Sequence, residues 1–418
     1  MLDVPIKEVL SVGIIGGGTM GSGIAMNFAN AGIPVKVLEI NNDAIEHGKS
    51  IIKNNYSISI SKGKLTKEQV EHCLSLISGT TNYSDLANVD LVIEAVFEEF
   101  KIKKQVFTQL DTHCKKSAIL ATNTSYLDID EIAEVTNRPQ NVIGMHFFSP
   151  ANIMKLLEII KGTKTAANTI KTVMALAGKI NKHPVLAKNC FGFIGNRIFR
   201  VYTREAQLCL LEGCYPEQVD SVLKKFGMAM GPFAVGDLIG LDVSYKIRQS
   251  FTQNQKDETA IYCIADTLVK MGRYGQKTGS GYYQYKAGSR VPLNDPKVLT
   301  LIINKSTTLG IQRRNLSDDE IQNRLIFAMI NEGANILDEG VAQSANNIDA
   351  VLTLGYGFPS SLGGPMQYAE TIGLKKVFNT ICEYQDRFGK KYWTPSSLLE
   401  KSAKEGSTFS HLSTPPIE

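Results

Sequence analysis

No stretch of this 418-residue sequence approaches the ~18 consecutive apolar residues of a membrane-spanning helix. No block of lysine and arginine is long enough for a nucleic-acid footprint, and a net charge of +4 is small for this length. Cysteine is sparse. Cys73, Cys114, Cys190, Cys209, Cys214, Cys263 and Cys382 form an odd, scattered set without a CxxC pair. That argues against a disulfide frame or a zinc site and fits reduced thiols inside a cell. The opening "MLDVPIKEVL" lacks the basic and apolar regions of a secretory leader, and the closing "TPPIE" is not an SKL-type address. An intracellular chain is expected, with peroxisome, mitochondrial matrix and cytoplasm all open. What remains is an ordinary globular composition, 43% hydrophobic and 21% charged, long enough for two or three domains.

The first informative stretch is "SVGIIGGGTMGSGIAMNFANAGIPVKVLEI". Val12, Ile14 and Ile15 read as a short strand, followed at once by Gly16-x-Gly18-x-x-Gly21. A helical stretch then runs to Gly32, and Val35, Val37 and Leu38 make a second strand that closes on Glu39. Each part has a physical task in holding a dinucleotide. Gly16 allows a tight turn, Gly18 lets backbone approach a pyrophosphate, and Gly21 permits close helix–strand packing. The helix start at Thr19 and Met20 offers free N–H groups and a positive dipole end to the phosphates. Glu39 suits both ribose hydroxyls and repels a 2′-phosphate, so NAD is favoured over NADP. A merely structural glycine turn is the alternative; strand, helix and acid at the right spacing argue against it.

The pattern continues as α/β. "NVDLVIEAV" (88–96) and "AILATNTS" (118–125) read as strands, with a helix between them. Ligands of an open parallel sheet lie beyond the carboxyl ends of its strands, which places Glu98, Asn123 and Ser125 near cofactor or substrate. A cap or turn role is the plain alternative for each.

"VIGMHFFSPANIMKLLEII" (142–160) carries an imidazole and a carboxylate in an apolar setting. Two extended segments joined by the loop "SPANIMK" would bring His146 and Glu158 side by side. A neutral imidazole can take a hydroxyl proton while hydride leaves the adjacent carbon, and a carboxylate on the other ring nitrogen fixes the tautomer. A satisfied core histidine beside an unrelated glutamate is the alternative.

With these residues in view, the chain resembles the L-3-hydroxyacyl-CoA dehydrogenase family from about residue 11 to about residue 380. "GMHFFSPANIMKLLEII" is similar to the family's catalytic signature, which implies His146 as base and Glu158 as its partner. "GFIGNR" (192–197) resembles the start of the family's helical domain and implies Asn196 on the substrate. "ATNTS" implies roles for Asn123 and Ser125, and "EAVFEEFKIKKQVF" implies Glu98 and Lys103 on the cofactor side. "RYGQKTGSGYYQY" (273–285) is also typical. The implied reaction is reversible oxidation of a (3S)-3-hydroxyacyl-CoA by NAD⁺, a step of fatty-acid β-oxidation. The acyl-CoA carries a 3′-phosphate, for which Lys62 and Lys64 in "SKGKL" are candidate contacts; a solvated loop is the alternative. No metal is expected.

The second half reads as helical and contains a repeat. "GNRIFRVYTREAQLCLLEG" (195–213) aligns with "QNRLIFAMINEGANILDEG" (322–340), pairing Asn196-Arg197 with Asn323-Arg324 and Glu205 with Glu332. The expected architecture is α/β plus all-α. A Rossmann-type NAD-binding domain (1–188) precedes two duplicated helical domains (189–290 and 291–418), with "AGSRVPLNDP" (287–296) as a linker. A second copy in cis would cover the face that single-copy relatives bury in a dimer, so a monomer is expected, with Asn323 a structural relic. The family's multifunctional enzymes carry a hydratase domain ahead of this part; the few residues before the first strand lead us to expect no hydratase activity. The tail "EGSTFSHLSTPPIE" is expected to be flexible. Two rival readings stay open: a dehydrogenase of a small non-CoA hydroxy acid, and a non-catalytic NAD- or acyl-CoA-binding relative.

Overall fold

The computed structural model describes residues 4–249 and 259–409. They form two compact units: residues up to Asn196 together with Ile336–Gly355, and Arg197–Asn335 together with the residues from Tyr356 onward.

In the first unit eight strands make one sheet: β1 Val12–Ile15, β2 Val35–Leu38, β3 Ile77–Thr80, β4 Leu91–Glu94, β5 Ile119–Thr122, β6 Val142–Phe147, β7 Leu156–Lys161 and β8 His183–Lys188. Their spatial order is β3-β2-β1-β4-β5-β6-β7-β8. The first six are parallel, β7 runs antiparallel to β6, and β8 is parallel to β7. Strands such as "VGII", "LVIE" and "ILAT" are buried at every position. Such continuous apolar runs belong to a parallel sheet covered on both faces. Alternate side chains feed two cores: Ile14, Ile93 and Ile119 join one, while Ile15, Val92 and Leu120 join the other. The crossovers are α1 Thr19–Asn30, α2 Asn42–Ser61, α3 Lys67–Ser75, α4 Phe100–His113, α5 Ile129–Ala133 and α6 Ala167–Lys179. The chain order reverses between β1 and β4, and the crevice beyond their carboxyl ends is where such sheets take nucleotides.

One piece of the unit comes from far along the chain. The helix Ala345–Gly355 packs on β7 and β8, and Lys188 N–H donates to Val341 carbonyl oxygen at 3.0 Å. Residues assigned by the repeat to the second helical copy thus brace the strand that carries Glu158.

The second unit is helical. It receives α7, Gly195–Glu212, and the long helix Asp318–Asp338, which hold the two aligned repeat segments. Shorter helices follow in matching chain order: Pro216–Phe226, Pro232–Ile239 and Leu241–Gln249 after the first, and after the second Ala345–Gly355, which belongs to the first unit, then Pro365–Ile372 and Leu374–Phe388. Proline at the first helical turn, glycine before it and glycine after it punctuate Pro232–Ile239 and Pro365–Ile372 alike. "RYGQKTGSGYYQY" folds onto two buried carboxylates. Asp237 accepts from the N–H groups of Tyr282 and Tyr283 and from Tyr285 Oη, and Asp220 accepts from Tyr283 Oη at 2.8 Å. Much of the expected flexible tail lies outside the described residues, but Phe409 within it is fully buried.

Candidate active site

The glycine turn is built as its spacing predicts. Gly16 has φ +94°, and a Cβ there would sit 2.9 Å from the Ala95 carbonyl oxygen. At Gly21 a Cβ would collide at 1.8 Å with the Gly16 carbonyl oxygen, so only glycine lets α1 start this close to β1. A Cβ at Gly18 would meet nothing within 4 Å: that face of the turn is open. Gly18 is also the N-cap of α1, with no side-chain cap and no acidic residue in the first turn, and Thr19 is exposed. The donors and the positive helix end are therefore free to face a pyrophosphate. Glu39 lies just past β2, where Oε1 accepts from Gly17 N–H at 2.5 Å and Oε2 from Ile40 N–H at 3.1 Å. Its carboxylate is thus fixed against the turn that the ribose would approach. These residues fit a dinucleotide.

Beyond β5 the chain is held by charge. Glu94, the last residue of β4, is fully buried; it accepts from Lys103 Nζ at 2.7 Å, Thr122 Oγ1 at 2.7 Å and Val96 N–H at 2.7 Å. Lys103 also reaches Glu98 Oε2 at 3.3 Å. Glu98 Oε1 in turn accepts from Thr124 Oγ1 at 2.6 Å and Ser125 N–H at 2.7 Å. Lys103, expected on the cofactor side, is only 1% exposed and spent on two carboxylates. Its position suits bracing the Asn123–Ser125 loop rather than touching a ligand. Asn123 Oδ1 accepts from Phe147 N–H at 2.8 Å, tying that loop to the residue after His146.

His146 and Glu158 lie directly opposite each other on the antiparallel β6–β7 pair, as the sequence suggested. His146 Nδ1 is 2.9 Å from Glu158 Oε2. A carboxylate only accepts, so Nδ1 carries the proton, and in the neutral ring Nε2 is the nitrogen that keeps its lone pair. The other oxygen, Oε1, accepts from the N–H groups of Ile194 at 3.2 Å and Gly195 at 3.0 Å, at the start of α7. Two consecutive left-handed residues, Gly192 (φ +77°) and Phe193 (φ +51°), turn the chain so that those N–H groups meet the carboxylate. Positive φ costs a bulky residue of order 1 kcal/mol, and the buried Phe193 ring holds it in place. Phe148 and Phe193 lie against the imidazole, with ring centroids 4.5 and 5.8 Å away, and both carry it in an apolar setting. Next along α7, Asn196 Nδ2 donates to the Ser125 carbonyl oxygen at 3.2 Å. Ser125, Asn196, His146 and Glu158 are thus linked through short contacts in one unit.

Lys62 and Lys64 stand apart, exposed on the turn between α2 and α3. Sequence reasoning missed Glu94, Thr122 and Thr124, the buried network beneath the site. The available signal was a carboxylate ending an apolar strand, with a lysine nine residues on among the apolar positions of α4. It also missed Ile40 and Phe97, 87% and 82% exposed just past β2 and β4.

Comparison with known proteins agrees with this geometry. Residues 11–190 match the family model described as 3-hydroxyacyl-CoA dehydrogenase, NAD binding domain. Residues 192–285 and again 321–410 match the C-terminal domain of the same family. The human peroxisomal bifunctional enzyme is 44% identical over 415 residues, covering 96% of this chain and 57% of that protein. A peroxisomal fatty acid beta-oxidation multifunctional protein of Arabidopsis thaliana is 37% identical, covering 97% and 56%. The chain therefore spans somewhat over half the length of these relatives. Among solved structures, 3-hydroxybutyryl-CoA dehydrogenase from Escherichia coli superposes with a TM-score of 0.83 at 28% identity, covering 96% of this chain and 99% of the other. The dehydrogenase part of multifunctional enzyme 1 from C. elegans gives 0.68 at 33% identity, covering 95% and 90%.

Proposed function

The chain belongs to the 3-hydroxyacyl-CoA dehydrogenase family, and from that premise we propose that it oxidises (3S)-3-hydroxyacyl-CoA esters to 3-ketoacyl-CoA, reversibly, as a step of fatty-acid β-oxidation. NAD⁺, when bound, supplies the hydride acceptor. The observation that carries the reading is the His146–Glu158 hydrogen bond of 2.9 Å in an apolar setting, on the same sheet whose first strand leads into the glycine turn.

His146 Nε2 takes the hydroxyl proton as the carbon beneath gives up its hydride. Glu158, anchored by two N–H groups, stabilises the imidazolium that forms and keeps the ring from turning. The Ser125 hydroxyl and Asn196 position the hydroxyl and thioester oxygens. Gly16, Gly18, Thr19, Met20 and Gly21 hold the pyrophosphate, and Glu39 holds the ribose. Asn123 and Glu98 face the nicotinamide side, and Lys103 acts through Glu98. Lys62 and Lys64 meet the substrate's phosphates.

The chain is built as a nucleotide-binding domain (1–188) and two copies of one helical domain (189–290 and 291–418). It is a monomer, because the second copy occupies the place a partner would take. Supporting this, Arg197 pairs with Glu332 and Arg324 with Glu205, a reciprocal exchange between the copies. The peroxisomal names of the relatives favour a peroxisome among the intracellular compartments.

The test is NADH consumption with acetoacetyl-CoA, run beside free acetoacetate. Loss of absorbance with the CoA ester alone supports the reading. Turnover of the free acid moves the chain to small hydroxy acids, and silence with short and long esters alike leaves only binding.

A further inference from the structure

A polar recess, about 170 Å³, lies in the nucleotide-binding unit. Its walls are the C-terminal half of α1, the loop 148–155 between β6 and β7, and the end of α6, with Lys155, Lys179, Lys182, Asn30, Asn152 and Asn181 among its lining residues. No lining residue is acidic. The volume is well above the roughly 10–15 Å³ that admits one water.

We propose that this recess is an anion site that takes a phosphate group. Three ammonium groups and four side-chain amides, Asn27 among them, line one concavity. Against them stand the C-terminal ends of α1 and α6, whose last residues Asn30 and Lys179 line the recess. Each helix end brings about −0.5 charge, so roughly −1 faces +3 and the recess stays cationic. Lys182 is 7% exposed; its Nζ donates at 2.6 Å to the carbonyl oxygens of Ala151 and Met154, which leaves the third N–H for a ligand. Burial, and then the charge of Lys155, push the Lys182 ammonium down to about 8. An anion between them relieves that crowding.

The recess adjoins the proposed chemistry through the chain itself. Loop 148–155 joins the strand of His146 to the strand of Glu158. On its other side, Asn30 Oδ1 accepts from Tyr56 Oη at 2.9 Å, and the Lys62 turn lies six residues further on, about 9 Å along α2. Two sources of phosphate suit it: the ester's own phosphates, which rests on the function proposed above, and free inorganic phosphate.

Calorimetric titration of the full chain with inorganic phosphate, at ionic strength fixed by chloride, tests the site without needing activity. Wild type gives saturable binding, and the Lys155→Met/Lys179→Met variant, altered only at exposed residues, binds roughly tenfold more weakly or worse. No saturable heat, or equal heat in both proteins, overturns the proposal. Steady-state kinetics then separate the sources. If the ester fills the recess, phosphate competes with acetoacetyl-CoA and the variant raises KM for it but not for its 3′-dephospho analogue. If free phosphate fills it, phosphate binds alongside the ester and KM is unchanged; both results uphold the anion site.

Discussion

Arg197 Nε donates to Glu332 Oε1 at 2.5 Å, and 127 residues further on Arg324 Nε donates to Glu205 Oε2 at 3.1 Å. The residues of each pair are exchanged between the repeats, as in a two-fold interface where i meets j and j meets i. Here both halves belong to one chain. Arg324 and Glu205 are fully buried, and Arg324 also reaches Glu212 at 2.8 Å.

Arg324→Met therefore takes away the guanidinium that two carboxylates share, leaving Glu205 to Arg204 and Glu212 to Arg314. Breaking a buried pair from one side costs about 3–5 kcal/mol. With those partners remaining, urea unfolding should show a loss near the lower end of that range, whereas Arg197→Met, at a partly exposed pair, should cost less. Sedimentation of the wild type should give the mass of one chain; a stable dimer would mean that the second copy does not replace a partner.

Lys103→Met separates a bracing role from a cofactor contact. It leaves Glu94 buried and unpaired, so a stability loss of about 3–5 kcal/mol is expected, together with lower kcat. Adding Glu94→Gln should recover part of the stability. A variant of unchanged stability that merely loses NAD⁺ affinity would put Lys103 on the cofactor.

Glu39→Ala should weaken NAD⁺ binding by about tenfold or more, since a carboxylate acceptor of ribose hydroxyls is lost. NADP⁺ should gain relative to NAD⁺. Fluorescence titration with both cofactors measures this, and equal affinities before and after the substitution would remove Glu39 from the ribose site.

Asp220 supplies a pH test in the helical unit. Burial pushes its carboxyl up to about 6, outweighing donors from Phe233 N–H, Tyr283 Oη and Ala234 N–H. A carboxyl whose folded pKa is raised contributes stability that is complete below its ordinary value near 3.8 and is lost as pH rises through 6. Asp220→Asn has no such loss. Its cost relative to wild type should therefore be larger at pH 4 than at pH 7, by a few kcal/mol. A cost independent of pH would show that Asp220 is ionised throughout.

The nucleotide half was legible because its signals are local. A glycine turn, an apolar four-residue strand and an acid at fixed spacing are written within one stretch from Val12 to Glu39. The His146–Glu158 pair was legible for a similar reason, since one short loop joins their strands and side-by-side pairing follows. The network of Glu94, Lys103 and Thr122 was hidden because its partners come from β4, α4 and β5 and meet only when the sheet forms. Likewise, nothing in "VAQSANNIDAVLTLG" told that the helix Ala345–Gly355 would pack on β7 and β8 of the nucleotide-binding unit. The repeat was visible, and its reciprocal ion pairs follow from it, but the packing partner of each helix is a long-range fact.

The most direct test of the proposed chemistry is kcat of His146→Ala with acetoacetyl-CoA, measured beside its affinity for NADH. The account predicts a fall of about 10²–10⁴, the range a positioned general base supplies, with NADH affinity little changed. Turnover near that of the wild type would contradict it and take the proton transfer away from His146.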